Sequence, residues 1–252
     1  MTLLAVERIK LFTTRSPWWC MLLTVALTVG FAVLFAVNAN VQAPPGVEMT
    51  QIGYQFGLVV IMVMAALAVT TEYRTGTIRA TFQAIPNRVA ALLAKTVVVA
   101  LVAGVVGEVT AWASWGVAKL IKPELVSTVT TEQQWRNVAG VGLLYLVGAV
   151  IAVAVGILLR HTAGAVAVLL IYVLLVESLV QLIPKIGVDI YKWMPFNVGG
   201  NFLTGGLPAR NGGPPGLSST STLGPWWSLL YFVGFAVVLL VAALVSATKR
   251  DA

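Results

Sequence analysis

Six apolar runs of about twenty residues or more divide the chain: Trp18 to Asn38, Gln51 to Thr71, Val89 to Ala118, Val138 to Leu159, Ala163 to Ile183 and Trp226 to Ala247. At ~1.5 Å per residue, a helix of ~20 residues crosses the ~30 Å hydrocarbon core of a bilayer. None of the runs, and none of the stretches between them, shows the ten-residue alternation of a membrane-barrel strand. The pattern therefore predicts an all-α, polytopic membrane protein, a single transmembrane domain over residues 1–252 with six transmembrane helices. Composition agrees: 59% of residues are hydrophobic and 10% charged, where soluble domains carry about 25% charge, and the mean hydropathy is +0.92.

The first run follows Arg8, Lys10 and Arg15 and precedes Val41-Gln42-Ala43, a pattern that imitates a secretory signal. The run exceeds the 7 to 15 residues of a signal core, and Pro44 would follow the cut, so the expectation is a retained first helix. The basic residues then set the orientation. With the amino terminus inside, Arg8, Lys10, Arg15, Arg74, Arg79, Arg88, Lys95, Arg160, Lys249 and Arg250 face the cytoplasm. Only Lys119, Lys122, Arg136, Lys185, Lys192 and Arg210 face outward. Basic residues near spans resist translocation, so both termini are expected in the cytoplasm. The net charge of +7 matches affinity for anionic membrane lipids. Because the charges are scattered, it gives no argument for nucleic acid.

Three polar interruptions stand out. Residues 1–16 predict a moderately amphipathic helix at the membrane surface, with Ala5, Val6, Ile9 and Phe12 on one arc and Leu3, Leu4 and Leu11 among Glu7, Arg8 and Lys10. Trp18, Trp19, Trp226 and Trp227 stand where aromatic residues mark the headgroup boundary. Residues 72–88, EYRTGTIRATFQAIPNR, form the one sizeable loop on the cytoplasmic side. There Arg74-Thr75-Gly76 breaks the second span, Thr75 or Thr77 is placed to cap a new helix, and Pro86 ends it. Ile78, Phe82 and Ile85 share one face of that short helix, available either to lipid or to a partner's groove. Residues 184–225 form the long outer segment. Its first part suits short helices at or re-entering the membrane, and GGLPARNGGPPGLSSTSTLG suits a mobile loop.

The motif Glu72-Tyr73-Arg74-x-Gly76-Thr77-Ile78-Arg79, followed by Pro86-x-Arg88, resembles the signature of bacterial permeases of the type-two ATP-binding-cassette (ABC) exporters. Glu7-Arg8-Ile9-Lys10-Leu11 is similar to the surface helix before their first span, and Trp193-Met194-Pro195-Phe196-Asn197 to the segment before their last. The resemblance implies a multi-pass protein of the bacterial inner membrane. It makes the helix after the second span a coupling helix that docks on a separate ATPase subunit. The implied coupling residues are Glu72, Arg74, Gly76, Thr77, Ile78, Arg79, Phe82, Ile85 and Arg88. It further implies pairing with a second permease chain, identical or related, and an outer gate at Trp193, Met194, Pro195, Phe196 and Asn197. The substrate would be a hydrophobic or amphipathic drug, antibiotic or lipid-like molecule. ATP and Mg²⁺ would belong to the partner ATPase, since this sequence has no G-x-x-x-x-G-K-[ST] motif.

Two acids fall inside spans, where a charge costs several kcal/mol unless paired or neutralised. Glu108 and Glu177 sit at similar depth, roughly 21 to 24 Å from the inner surface, with Glu108 and Trp112, and Glu177 and Gln181, at i, i+4. Each is either a packing group hydrogen-bonded to a neighbouring helix or, together with Gln181, polar lining of a path for cationic or amphipathic substrate. A secondary transporter coupled to an ion gradient through Glu108 and Glu177 is the alternative, although no repeat between the halves supports it. A membrane anchor or sensor would explain the surface helix but not six spans. Cys20 lacks metal-ligating neighbours, and His161 reads as an exposed loop residue. The sequence offers no nucleophile and base for catalysis and no metal-ligand cluster, so no cofactor is expected on this chain.

Overall fold

A computed structural model describes residues 3–39, 46–85, 87–205 and 219–250. Every regular element among the described residues is helical. Six of these helices are long and apolar enough to cross a membrane. In chain order, α1 (Leu3–Thr13) precedes the first span, α2 (Arg15–Asn38), and the turn α3 (Val47–Thr50) leads into the second, α4 (Tyr54–Thr75). The short α5 (Thr77–Ala84) separates it from α6 (Arg88–Ile121), and α7 (Glu132–Leu159) follows. The fifth span begins as α8 (Thr162–Leu170), continues through π-helical turns (Ile171–Val176) and finishes as α9 (Glu177–Val180). Then come α10 (Gly187–Tyr191), α11 (Pro195–Thr204) and the last span, α12 (Pro225–Arg250). Because six spans alternate in direction, α1, α5 and the end of α12 share one face of the bundle, and α10 and α11 lie at the other.

Spans start and stop where backbone chemistry allows. The first interfacial helix ends at Thr13, not at residue 16, because extended Thr14 (φ −89°, ψ 146°) breaks the chain before α2. α4 runs past the expected Thr71 to Thr75 and stops at Gly76, whose φ of +73° is costly for any residue with a Cβ. The fifth span ends at Val180, three residues before Ile183. Asn87 opens α6 by accepting the Ala90 N–H at 3.0 Å, and a Thr131–Gln134 capping box opens α7.

The centre of the bundle is α7, which packs on α4, α6, α8, α11 and α12. Lipid is as apolar as leucine, so spans associate by close packing and buried hydrogen bonds, not by hydrophobic burial. Both devices are visible. A Cβ added at Gly107 of α6 would lie 2.8 Å from the Gly142 Cα of α7, so the two backbones touch at this crossing. The four-residue spacing of Gly148, Ala152 and Gly156 serves this intrachain packing: a Cβ at Gly148 would meet Leu58, and one at Gly156 would meet Val69, both of α4. Tyr145 Oη donates to the Tyr54 carbonyl at 2.8 Å, Gln51 Nε2 to the Ala111 carbonyl at 3.1 Å, and Asn137 Nδ2 to the Leu203 carbonyl at 3.0 Å. Each joins elements far apart in sequence and satisfies a buried group that lipid could not. The outward surfaces of α2, α6 and α12 are apolar, with Leu22, Leu34, Leu101, Val105, Leu230 and Val238 all exposed.

Candidate functional site

At the α1 face, four charged side chains meet where α1, α4 and α6 converge. Lys95, on the second turn of α6, has a side chain only 7% exposed. Its ammonium donates to Glu7 of α1 and, at 2.8 Å, to Glu72 of α4. Lys10, one turn along α1, donates to Glu7 at 2.9 Å and to Thr81 Oγ1 of α5 at 3.2 Å, and lies 3.5 Å from Glu72. Two acids and two bases cancel, which is the condition for leaving charge buried. Burial alone raises the Glu7 carboxyl, but the attraction and hydrogen bonding of Lys95 and Lys10 outweigh it and hold it below the usual carboxylate range. Burial lowers the Lys10 ammonium, and Glu7 and Glu72 more than reverse this, leaving it above the usual lysine range.

This network reorganises the expected surface elements. The side of α1 that packs inward is Glu7 and Leu11, both buried, while Ile9 of the expected apolar arc is 49% exposed. Of the intermixed leucines and charges that blurred the amphipathic pattern, Glu7 and Leu11 make the packed face, while Leu4 and Arg8 stay exposed. Lys95, one of the cytoplasm-facing cations by sequence, lies seven residues into α6, roughly 10 Å along the helix. That depth, together with an acid on an otherwise surface-seeking helix, was the signal available in the sequence.

The segment 72–88 divides differently from its motif. Glu72 to Thr75 belong to α4, so the separate helix is only Thr77–Ala84. Its N-cap is Gly76 without a side-chain cap; Thr75 Oγ1 donates back to the Thr71 carbonyl at 2.9 Å instead of capping α5. Ile85 falls outside the helix, extended at φ −126° and ψ 104°, as a residue before proline must be. Pro86 itself and the Arg79 side chain lie outside the described residues. Ile78 is buried in this chain's own core, and half-buried Phe82 packs against the same core with the Arg88 guanidinium 5.7 Å over its ring. The expectation that Ile78 and Phe82 project outward is thereby corrected: the apolar face of α5 turns into the bundle. Arg74, Thr77, Gln83 and Asn87 form the exposed side.

At the opposite face, Glu177 and the outer segment come together. Glu177 is buried, and its two carboxylate oxygens accept the backbone N–H groups of Phe196 at 2.9 Å and Asn197 at 3.0 Å. The carboxylate thus caps α11 from another span, where Met194, its N-cap residue, supplies no side-chain bond and Pro195 occupies the first turn. Phe196 packs edge-on against Tyr172 and Phe232, and Tyr172 Oη meets Met194 Sδ at 3.9 Å. Trp193 is exposed, and its carbonyl accepts from Tyr231 Oη at 2.9 Å. A cavity of about 390 Å³ lies against Glu177, Gln181, Tyr54, Tyr191, Phe196 and Asn197. Its α8–α9 wall is the π-helical stretch, a backbone irregularity found often at functional sites.

Glu108 is not part of this cavity. It lies half-buried on α6 against Gly142 of α7. Equal depth did not bring the two acids together, because they point into different helix contacts. The described end of the expected mobile loop, residues 219–224, is hydrogen-bonded to α11. Ser219 Oγ donates to the Asn197 carbonyl at 3.0 Å, and Asn201 Nδ2 to the Leu223 carbonyl and Ser228 Oγ at 2.7 and 2.8 Å. Residues 206–218 of the expected loop lie outside the described residues. His161 is exposed, as expected, and its Nδ1 accepts the Gly164 N–H to cap α8. Among the described residues no group of His, Cys, Asp or Glu could hold a metal ion.

Six membrane-length helices, a surface helix tied in by buried ions and capped short helices at the far face define a polytopic α-helical membrane protein. The chain belongs to the family described as "Protein of unknown function (DUF2705)", whose model matches residues 13–252. No curated protein matches it.

Proposed function

We propose that this chain is the membrane permease subunit of an ATP-driven exporter of the ABC type, with an ATPase subunit docking on the α1 face and a second permease chain completing the pathway. The observation that carries the reading is the bracing of α5. Lys10 bonds α5 through Thr81 and α1 through Glu7, and Lys95 ties Glu7 and Glu72 to α6. A push on so short a helix is useful only if it moves the bundle, and this network joins α5 to two spans. ATP and Mg²⁺ act on the partner. The α1 face is then cytoplasmic, in the inner membrane of a bacterial cell, and α10 and α11 close the outer side. The outer cavity suits an amphipathic substrate, with an aromatic wall and a carboxylate at one end. The ion-coupled alternative has less support, since Glu108 does not line the cavity beside Glu177.

The docking surface follows from exposure: Arg74, Thr77, Gln83 and Asn87, not Phe82. Arg74→Glu and Gln83→Trp should each lower co-purification of the ATPase and ATP-driven transport in reconstituted vesicles, while yield and melting temperature of the permease stay unchanged. Undiminished ATPase retention in both variants would remove the coupling role from α5.

A further inference from the structure

Beside the ion network, and lined in part by it, lies a cleft of about 590 Å³ on the α1 face, partly open. One wall is apolar, made by Met64, Leu67 and Ala68 of α4 and Val98 and Val99 of α6. The other end is hydroxylated, with Thr14, Ser16, Thr75 and Thr77 around Lys10. From Met64 to Thr75 the cleft follows α4 for eleven residues, roughly 16 Å, about the hydrocarbon depth of a single leaflet.

The charge at the mouth is decided by subtraction. Glu7 and Glu72 also line the cleft, and their charges are matched by Lys95 and Lys10, although Glu72 Oε2 has no hydrogen-bond partner among the described residues. Arg15, between Thr14 and Ser16, and Arg74, next to Thr75, are exposed and make no ion pair among the described residues. An apolar trough one leaflet deep that ends in hydroxyls, with the exposed Arg15 and Arg74 adjacent in sequence to its lining residues Thr14, Ser16 and Thr75, complements a single acyl chain joined to a phosphate. We propose that the cleft holds one anionic phospholipid. Its phosphate sits at Arg15, Arg74 and the threonine hydroxyls, and one acyl chain lies along Met64, Leu67, Ala68, Val98 and Val99. The bound lipid would wedge α1, α4 and α6 together, independently of any ATPase.

The test is native mass spectrometry of the purified chain in detergent, titrated with dioleoyl phosphatidylglycerol. Dioleoylglycerol, which keeps the chains without the phosphate, and glycerol phosphate, which keeps the phosphate without the chains, serve as parallel probes. The expected result is one phosphatidylglycerol per chain and no comparable binding of either fragment. Ala68→Trp, which fills the trough, should abolish binding. Arg15→Gln and Arg74→Gln should each weaken it about fivefold, the effect of ~1 kcal/mol per basic residue near an anionic surface. The arginine variants alter exposed positions and keep the test decisive if Ala68→Trp fails to fold. Equal binding of dioleoylglycerol, or undiminished phosphatidylglycerol binding in the folded Ala68→Trp chain or in both arginine variants, would overturn the proposal.

Discussion

Replacing Lys95 with Met leaves the side-chain volume nearly unchanged but removes the one ammonium that, among the described residues, touches both Glu7 and Glu72 at hydrogen-bond distance. The two carboxylates, 5% and 13% exposed, would then face each other with little access to water. Breaking a buried pair by deleting one partner costs about 3–5 kcal/mol. Lys10 remains, 2.9 Å from Glu7 and 3.5 Å from Glu72, so the lower end, about 3 kcal/mol, applies. Lys10 already serves Thr81, and its side chain is 37% exposed; it cannot replace a 7% exposed cation. The strain concentrates on α1, whose docking to α6 rests on Glu7 and Leu11, so the variant should release α1 and leave the central α7 contacts intact. A loss of ~3 kcal/mol raises the open population roughly a hundredfold. Hydrogen exchange of α1 amides and tryptic cleavage at Arg8 and Lys10, in detergent, read this directly. Lys95→Arg should recover most of the protection. If Lys95→Met left α1 exchange within about threefold of the parent, the network would be ornamental, and the bracing of α5 would lose its basis.

Three other outcomes follow from the geometry. Glu177→Gln leaves a single carbonyl oxygen to serve two backbone N–H groups, so it should destabilise the fold by about 1.5–3 kcal/mol; Glu108→Gln should do less, as a comparison of melting temperatures by tryptophan fluorescence will show. Gly107→Ala drives a methyl against the Gly142 backbone, where nothing flexible can yield, and should cost ~1–3 kcal/mol in the same assay. Glu7 carries a carboxyl held below its unfolded value, about 4.3, so its contribution is complete above that pH and is lost as pH falls through the lower folded value. Hydrogen exchange of α1 should therefore accelerate only on acidification below about pH 4.3, and Glu7→Gln should flatten that response.

The hydrophobic pattern determined the six spans on its own, because a bilayer demands internally satisfied backbone over a fixed length, and that demand is written along one dimension. The break at Gly76 was equally local: the left-handed conformation strongly favours glycine, and the proline after Ile85 forces an extended residue. Facing directions were not local. Ile78 and Phe82 share a helical face in any reading, yet only the packed bundle turns that face inward. Glu108 and Glu177 have equal depth along their spans, but the rotation of each helix about its axis sends one toward Gly142 and the other to the amides of α11. Lys95 shows the difference most plainly. Its charge placed it among the cytoplasm-facing cations, whereas its burial is tolerable only because Glu7, eighty-eight residues earlier, and Glu72 arrive from two other helices. A buried charge is stable only with its partners, and partners so distant in sequence are brought together by tertiary packing alone.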